Sequence, residues 1–239
     1  GGRGDWLLNL SYPDDPDVPP QICYSNPGVS EFYAKEVVQY FRGGNFKGGW
    51  GNKMGTLPET ETIVPRFSGK PFYYPIEGAD NGRFCKCEDC LKLNTTADRV
   101  SEAKFSLLSR VADLAAEEAP GAGVSTLAYI QSLYYPENVP LSDHLSVQMC
   151  LTVYAWWHPV AHRLQHSEYK KWVRKEANRR PLTVWTYLFD SYHDASIHFG
   201  GYRPLPGFYP WKTAEIMREF VADGIRGWFT ECYLKINTL

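Results

Sequence analysis

The chain has 239 residues, 44% of them hydrophobic, with 25 basic and 27 acidic side chains. This composition is typical of a folded globular domain and excludes a disordered chain, and the nearly balanced charge gives no reason to expect a nucleic-acid partner. The sequence has no run of about 18 apolar residues, and its first residues do not resemble a signal peptide, so we expect no membrane span. The length favours one α/β domain over residues 1–239.

The first predicted elements are a strand, a helix and a long loop. Residues 21–23 form a short apolar segment that favours a strand. Asn26 can cap a helix whose first position is Pro27, and apolar residues then follow a helical period to Phe41. Residues 43–70 are rich in Gly, Thr and Pro and lack periodicity, which predicts a loop insertion.

The rest of the chain alternates between predicted strands and helices. The strands are predicted at 71–77, 124–130, 145–153, 182–188 and 225–232, and the helices at about 95–119, 160–179 and 213–222. Such alternation favours right-handed parallel crossovers. We therefore predict a TIM-type (β/α) barrel with six strands that lacks its first strands. An open doubly wound sheet is the alternative, but no Gly-rich phosphate-binding turn follows any predicted strand.

Polar residues at the predicted carboxyl ends of strands are the candidate site, because ligands bind at that edge of parallel sheets. Two carboxylates meeting there can cleave a glycosidic bond, one as the acid and one as the base or nucleophile. A strand-end carboxylate can equally anchor a loop or cap a helix. The candidates are Ser25, Asn26, Glu77, Asp80, Tyr129, His158, Tyr187, Asp190 and Glu231.

Aromatic residues make up 15% of the chain, with 8 Trp and 16 Tyr. Aromatic rings near a polar site are suited to stacking against sugars. Trp157 and Trp185 lie near the predicted strand ends, so we add them to the substrate-binding candidates.

Three cysteines, Cys85, Cys87 and Cys90, follow the Asp80-Asn81-Gly82 turn in a C-x-C-x-x-C pattern. With Cys23 as a fourth ligand, their thiolates can surround one tetrahedral Zn²⁺. Such a closed site would be structural, because no coordination position is left for a reactive water. Disulfides and free thiols remain the alternatives.

Several segments in this order resemble a family of bacterial proteins known as domain of unknown function 4838. The segments are Cys23-Tyr24-Ser25-Asn26-Pro27, Asp80-Asn81-Gly82, the Cys85 to Cys90 pattern, Thr126-Leu127-Ala128-Tyr129, Val184-Trp185-Thr186-Tyr187 and Gly227-Trp228-Phe229-Thr230-Glu231. The resemblance implies a barrel akin to alpha-glucuronidases and hexosaminidases, an exported or cell-surface protein, and action on polysaccharides. This sequence differs from the family pattern at Thr186, where Asp is common, and in its longer 43–70 insertion. Its first predicted strand also corresponds to a later strand of the family's barrel.

We therefore expect a carbohydrate-active domain, a glycoside hydrolase in which Asp80 and Glu231 are the acid and the base or nucleophile and Glu77 is in reserve. Tyr129, Trp185 and Tyr187 would shape the sugar pocket. A non-catalytic carbohydrate-binding module is one alternative. Another is a structural subunit whose incomplete barrel is completed by an oligomeric partner.

Overall fold

The computed structural model describes residues 21–42, 73–80, 82–93, 99–153, 156, 159–187 and 210–230. The described residues divide into two compact units. The first contains those up to Thr126 together with Pro136–Ser146, and the second contains Leu127–Tyr135 and those from Val147 onward. The predicted insertion at 43–70 lies outside the described residues.

The first unit is built on helices α1 (Pro27–Phe41), α2 (Glu88–Leu93) and α3 (Ser101–Glu118). Strand β1 (Tyr74–Pro75) pairs in parallel with the start of β2 (Val124–Ala128). Helix α1 packs against α3, and its Val29 and Val37 are fully buried, as are Phe105 and Val111 of α3. These side chains form the apolar core between the two helices.

Helix α1 begins where the sequence predicts. The Asn26 side-chain oxygen accepts a hydrogen bond from the Gly28 N–H at 2.9 Å, and Pro27 occupies the first turn. Proline is well suited to this position because the first N–H groups of a helix have no partner within the helix. The predicted start and end of α1 are therefore confirmed.

Strand β3 spans Leu145–Leu151, and its residues from Val147 onward belong to the second unit. This unit also contains strands β4 (Leu182–Thr186) and β5 (Gly227–Thr230) and helices α4 (Pro159–Glu176) and α5 (Pro210–Ala222). Strands β3, β4 and β5 pair in parallel, with Cys150, Trp185 and Phe229 in register. On α4, Tyr169 and Trp172 are fully buried. In the described chain the strands follow one another in the sheet in the order β1-β2-β3-β4-β5.

The predicted TIM-type barrel is wrong. We predicted an incomplete barrel of six strands, whereas the described residues form a sheet of five, and a closed barrel of this type has eight. Residues 21–23, predicted to be a strand, form none. The Gln21 N–H donates to the Arg83 carbonyl at 3.3 Å, and the Gln21 side chain binds Ala79, so this segment crosses a loop instead of joining the sheet. The α/β class and the parallel pairing agree with the prediction.

None of the helices in the described part of the chain is both long enough and apolar enough to cross a lipid bilayer.

Candidate metal centre

The structure brings Cys23, Cys85, Cys87 and Cys90 together, and we call these residues the cysteine cluster. Their sulfur atoms all lie within 4.8 Å of one another. The Cys23 Sγ is 3.7 Å from that of Cys87 and 3.8 Å from that of Cys90. These separations are far longer than the S–S bond of about 2.05 Å in a disulfide, and the four thiols are free. The arrangement can hold a metal ion.

Two chain segments deliver these thiols. Cys23 precedes α1 in a tight turn that is closed by a hydrogen bond of 3.3 Å from the Asn26 N–H to the Cys23 carbonyl. The other segment reaches Cys90 in the first turn of α2. On the exposed side of α2, Lys92 pairs with Glu88 at 2.9 Å, which leaves the opposite side of the helix to bury Cys90.

Ser25 lies beside the cysteine cluster. Its hydroxyl oxygen is 3.4 Å from the sulfurs of Cys23 and Cys87 and 3.3 Å from that of Cys90. A hydroxyl in contact with several sulfurs can donate a hydrogen bond to a thiolate and stabilise its negative charge.

The thiols differ in acidity because their surroundings differ. Burial raises the pKa of Cys85 well above its usual range and raises that of Cys90 to about 11. Burial also opposes ionisation of Cys87, but hydrogen bonds from the Ser25 hydroxyl and the Cys90 N–H lower its pKa to about 6. A bound cation favours the thiolate form at every ligand, so metal loading would release protons.

Glu77 follows β1 and is held by a cation from α3. The Glu77 carboxylate accepts a hydrogen bond from the Lys104 ammonium at 3.1 Å, and the Lys104 side chain is only 7% exposed. Nearby, burial and then the charge of Glu77 raise the pKa of Tyr24 above its usual range. Asp80, two residues past Gly78, is exposed. Both acidic candidates of the first unit therefore lie on the loop after β1.

Asn26 and Tyr129 already have local structural roles. The Asn26 side chain caps α1. Tyr129 directly follows β2 and closes a 3₁₀ turn, with its N–H donating to the Ser132 hydroxyl at 3.1 Å and its carbonyl accepting from the same hydroxyl at 3.0 Å. The Tyr129 side chain is half-buried.

Trp185 and Tyr187 lie at the end of β4. The Trp185 ring contacts that of Phe229 at a centroid separation of 4.4 Å and an angle of 56°. Its indole nitrogen is buried, and no residue that the structure describes accepts a hydrogen bond from it. Tyr187 is half-buried immediately past the strand. Trp157, His158, Asp190 and Glu231 lie outside the described residues.

Two neighbours of the candidate residues were not predicted. Lys104 stands one helical turn after Val100 and one turn before Leu107 and Leu108, so a lysine on the apolar face of α3 was a detectable signal. Gln21 binds Ala79 across 58 residues of sequence, and no local pattern reports such a contact.

A family model described as Domain of unknown function (DUF4838) matches residues 66–232. The chain belongs to this family. No curated protein and no solved structure matches the chain. The DUF4838 match includes Cys85, Cys87 and Cys90, whereas Cys23 precedes it. The fourth thiol of the cluster is therefore contributed from outside the matched part of this DUF4838 chain.

Proposed function

We propose that the cysteine cluster is a structural zinc centre. In a tetrahedral site with Zn–S bonds of about 2.3 Å, neighbouring sulfurs lie about 3.8 Å apart. The separations from the Cys23 sulfur, 3.7 Å to Cys87 and 3.8 Å to Cys90, agree with this value. This agreement is the observation that carries the proposal.

The donor set supports a structural role over a catalytic one. Four thiolates fill a tetrahedral zinc ion, so a water molecule has no position in which to be activated. Cys23, Cys85 and Cys90 are also almost fully buried, which limits access of a substrate. The centre joins the turn before α1 to the loop before α2.

Metal analysis of the purified protein tests this proposal. We expect one zinc per chain, and a Cys90→Ser variant that loses it. Cys150, a buried cysteine in β3 outside the cluster, offers the matched control Cys150→Ser, which should keep the metal. If the protein contains iron and no zinc, the site is a metal centre but the metal is iron, since four thiolates also suit iron. A wild-type protein without metal after expression in zinc-supplemented medium would contradict the proposal.

We further propose that the domain is carbohydrate-active and exported, and that it hydrolyses a glycosidic bond with Asp80 and Glu231 as the paired carboxylates. Two acidic residues on the loop after β1, Glu77 and Asp80, support this proposal, since polar groups past strand ends commonly line ligand sites.

The test is hydrolysis of glucuronide and hexosaminide substrates by the wild type and by the variants Asp80→Asn and Glu231→Gln. We expect each variant to lose at least about 100-fold in kcat, as removal of an acid or base typically costs. The matched control is Asp89→Asn, an exposed acid on α2 that pairs with Lys92 at 3.5 Å. Sugar binding without hydrolysis would favour the non-catalytic module, and hydrolysis unchanged in both variants would rule out these carboxylates.

A further inference from the structure

We propose that Gln21 is a positioning residue that couples the cysteine cluster to residues 77–80, the loop segment that carries both candidate acids of the first unit. This inference rests on the proposed metal centre. It adds that the metal, through Gln21, sets the position of a segment that contributes no ligand to it.

The Gln21 side chain holds Ala79 by both of its polar atoms. Its carbonyl oxygen accepts a hydrogen bond from the Ala79 N–H at 3.0 Å, and its amide group donates to the Ala79 carbonyl. Gln21 is only 2% exposed. A buried amide that satisfies a donor and an acceptor of the same residue fixes that residue as a strand partner would.

Gly78 makes this contact possible. A Cβ atom at this position would collide with the Gln21 side-chain oxygen and lie 3.3 Å from the Tyr24 hydroxyl. Because Gln21 is buried and bound at both polar atoms, it cannot turn away without losing those bonds. The absence of a side chain at residue 78 therefore allows the Gln21 amide to reach Ala79.

The same short segment connects this contact to the cysteine cluster. Gln21 is two residues before Cys23, and its N–H donates to the Arg83 carbonyl at 3.3 Å. Arg83 in turn is two residues before Cys85. Ala79 and Arg83 are thus both held by Gln21, two residues before a member of the cysteine cluster. When all four thiolates bind one ion, Cys23 is fixed relative to Cys85, and Gln21 is fixed over Ala79.

Hydrogen exchange of the Ala79 amide, measured on peptides that cover residues 76–82, tests the coupling. When a chelator removes zinc from the loaded protein, we expect this amide to exchange at least about tenfold faster, since a local opening then exposes it. Gln21→Ala should produce a similar increase while zinc remains bound, because the acceptor is lost without any change of ligand. Gln39→Ala, an exposed glutamine on α1, is the control and should leave the exchange rate unchanged.

Two further variants keep the proposal testable if Gln21→Ala does not fold. Gln21→Glu keeps an acceptor for the Ala79 N–H but loses the donor, so it should give an intermediate rate. Gly78→Ala should give a rate like that of Gln21→Ala, since it displaces the same side chain. Zinc content is measured on every sample. A wild-type protein that contains no zinc would overturn the proposed zinc centre itself. If the zinc-loaded variants exchange the Ala79 amide at a rate within twofold of the wild type, the positioning role of Gln21 is overturned and the zinc centre is not.

Discussion

Ser25 supplies no sulfur, yet its hydroxyl is within 3.4 Å of three of them. Hydrogen bonds to metal ligands typically change metal affinity 10- to 100-fold. We expect Ser25→Ala to weaken zinc binding by about tenfold without abolishing it, measured by competition with a chromogenic chelator. Ser30→Ala, a buried serine of α1 that donates to the Pro27 carbonyl at 2.7 Å, is the matched control and should keep the wild-type affinity.

The cysteine set was predictable from the sequence, but its surroundings were not. Three cysteines within six residues are a local pattern, and a fourth ligand was expected from a preceding segment. The contacts of Ser25 with the sulfurs, and of Lys104 with Glu77, depend on how distant segments pack. Spacing along the chain carries no information about such contacts.

Helices α4 and α5 are joined by an ionic network that makes stability depend on pH. Lys170 of α4 contacts Glu219 at 2.7 Å and Asp223 at 2.6 Å, and His166 contacts Glu219 at 2.7 Å. Partial burial opposes ionisation of Glu219, but its hydrogen bonds with Lys170 and His166 hold its pKa below the ordinary value of 4.5. A depressed carboxyl pKa stabilises the fold above the unfolded-state pKa, and this contribution is lost as the pH falls through the folded-state pKa.

Hydrogen bonds to charged groups contribute about 1.5 to 3 kcal/mol, and solvent screens those of the partly exposed Glu219. We therefore expect Glu219→Gln to lower the free energy of unfolding by about 1 to 2 kcal/mol at pH 7. The difference from the wild type should shrink as the pH falls below 4.5. Urea unfolding of both proteins at several pH values measures this difference in the free energy of unfolding. Glu215→Gln removes an exposed partner of Lys212 and should change stability by less than about 0.5 kcal/mol. A Glu219→Gln deficit of equal size at pH 7 and pH 3 would contradict this interpretation.

The carboxyl end of α4 contains a buried ion pair. Arg180 and Glu176 are joined at 2.5 Å with side chains 0% and 1% exposed, and the Tyr135 hydroxyl donates to Glu176 at 2.6 Å. Removing one partner leaves a buried charge without compensation, which costs about 3 to 5 kcal/mol. We expect Arg180→Ala to show a loss of this size in chemical denaturation, whereas Arg179→Ala, at an exposed neighbour, should lose less than about 0.5 kcal/mol.

Element boundaries were predicted best where a capping residue marks them. Asn26 and Pro27 identified the start of α1, because their preference for helix starts is local. Residues 21–23 were assigned to a strand because Ile22 and Cys23 are apolar, but Gln21 uses its backbone and side chain to bind the loop after β1. A tertiary contact overrode a weak local preference there.

The proposed zinc centre predicts that zinc stabilises the whole molecule by mass action. Raising free zinc from zero to 100 times its Kd should add about 2.7 kcal/mol to the free energy of unfolding, provided that the unfolded chain does not bind it. Thermal unfolding in zinc buffers measures this as a rising Tm. Cys87→Ser, which removes one thiolate, should make the Tm depend less on free zinc. A wild-type Tm that is independent of free zinc would show that the cluster does not bind the metal in the folded protein.

The α/β class followed from the sequence, whereas the number of strands did not. Alternating strands and helices produce parallel pairing in open and closed sheets alike. Five of the six predicted strands lie in the described sheet, and only residues 21–23 do not. Closure also depends on how the strands are staggered, which residue patterns do not encode. The five strands of the described chain share the parallel pairing predicted for a barrel but not its strand number.

The two segments that form the cysteine cluster are far apart in the chain, since Cys23 and Cys87 are separated by 64 residues. Cys85, Cys87 and Cys90 are close enough to capture a cation before the rest of the chain has folded. Cys23 must then arrive by closing a long loop, whose entropic cost rises only slowly with its length. Assembly of the centre would therefore proceed in two stages, a fast local capture followed by a slower docking of the amino-terminal turn.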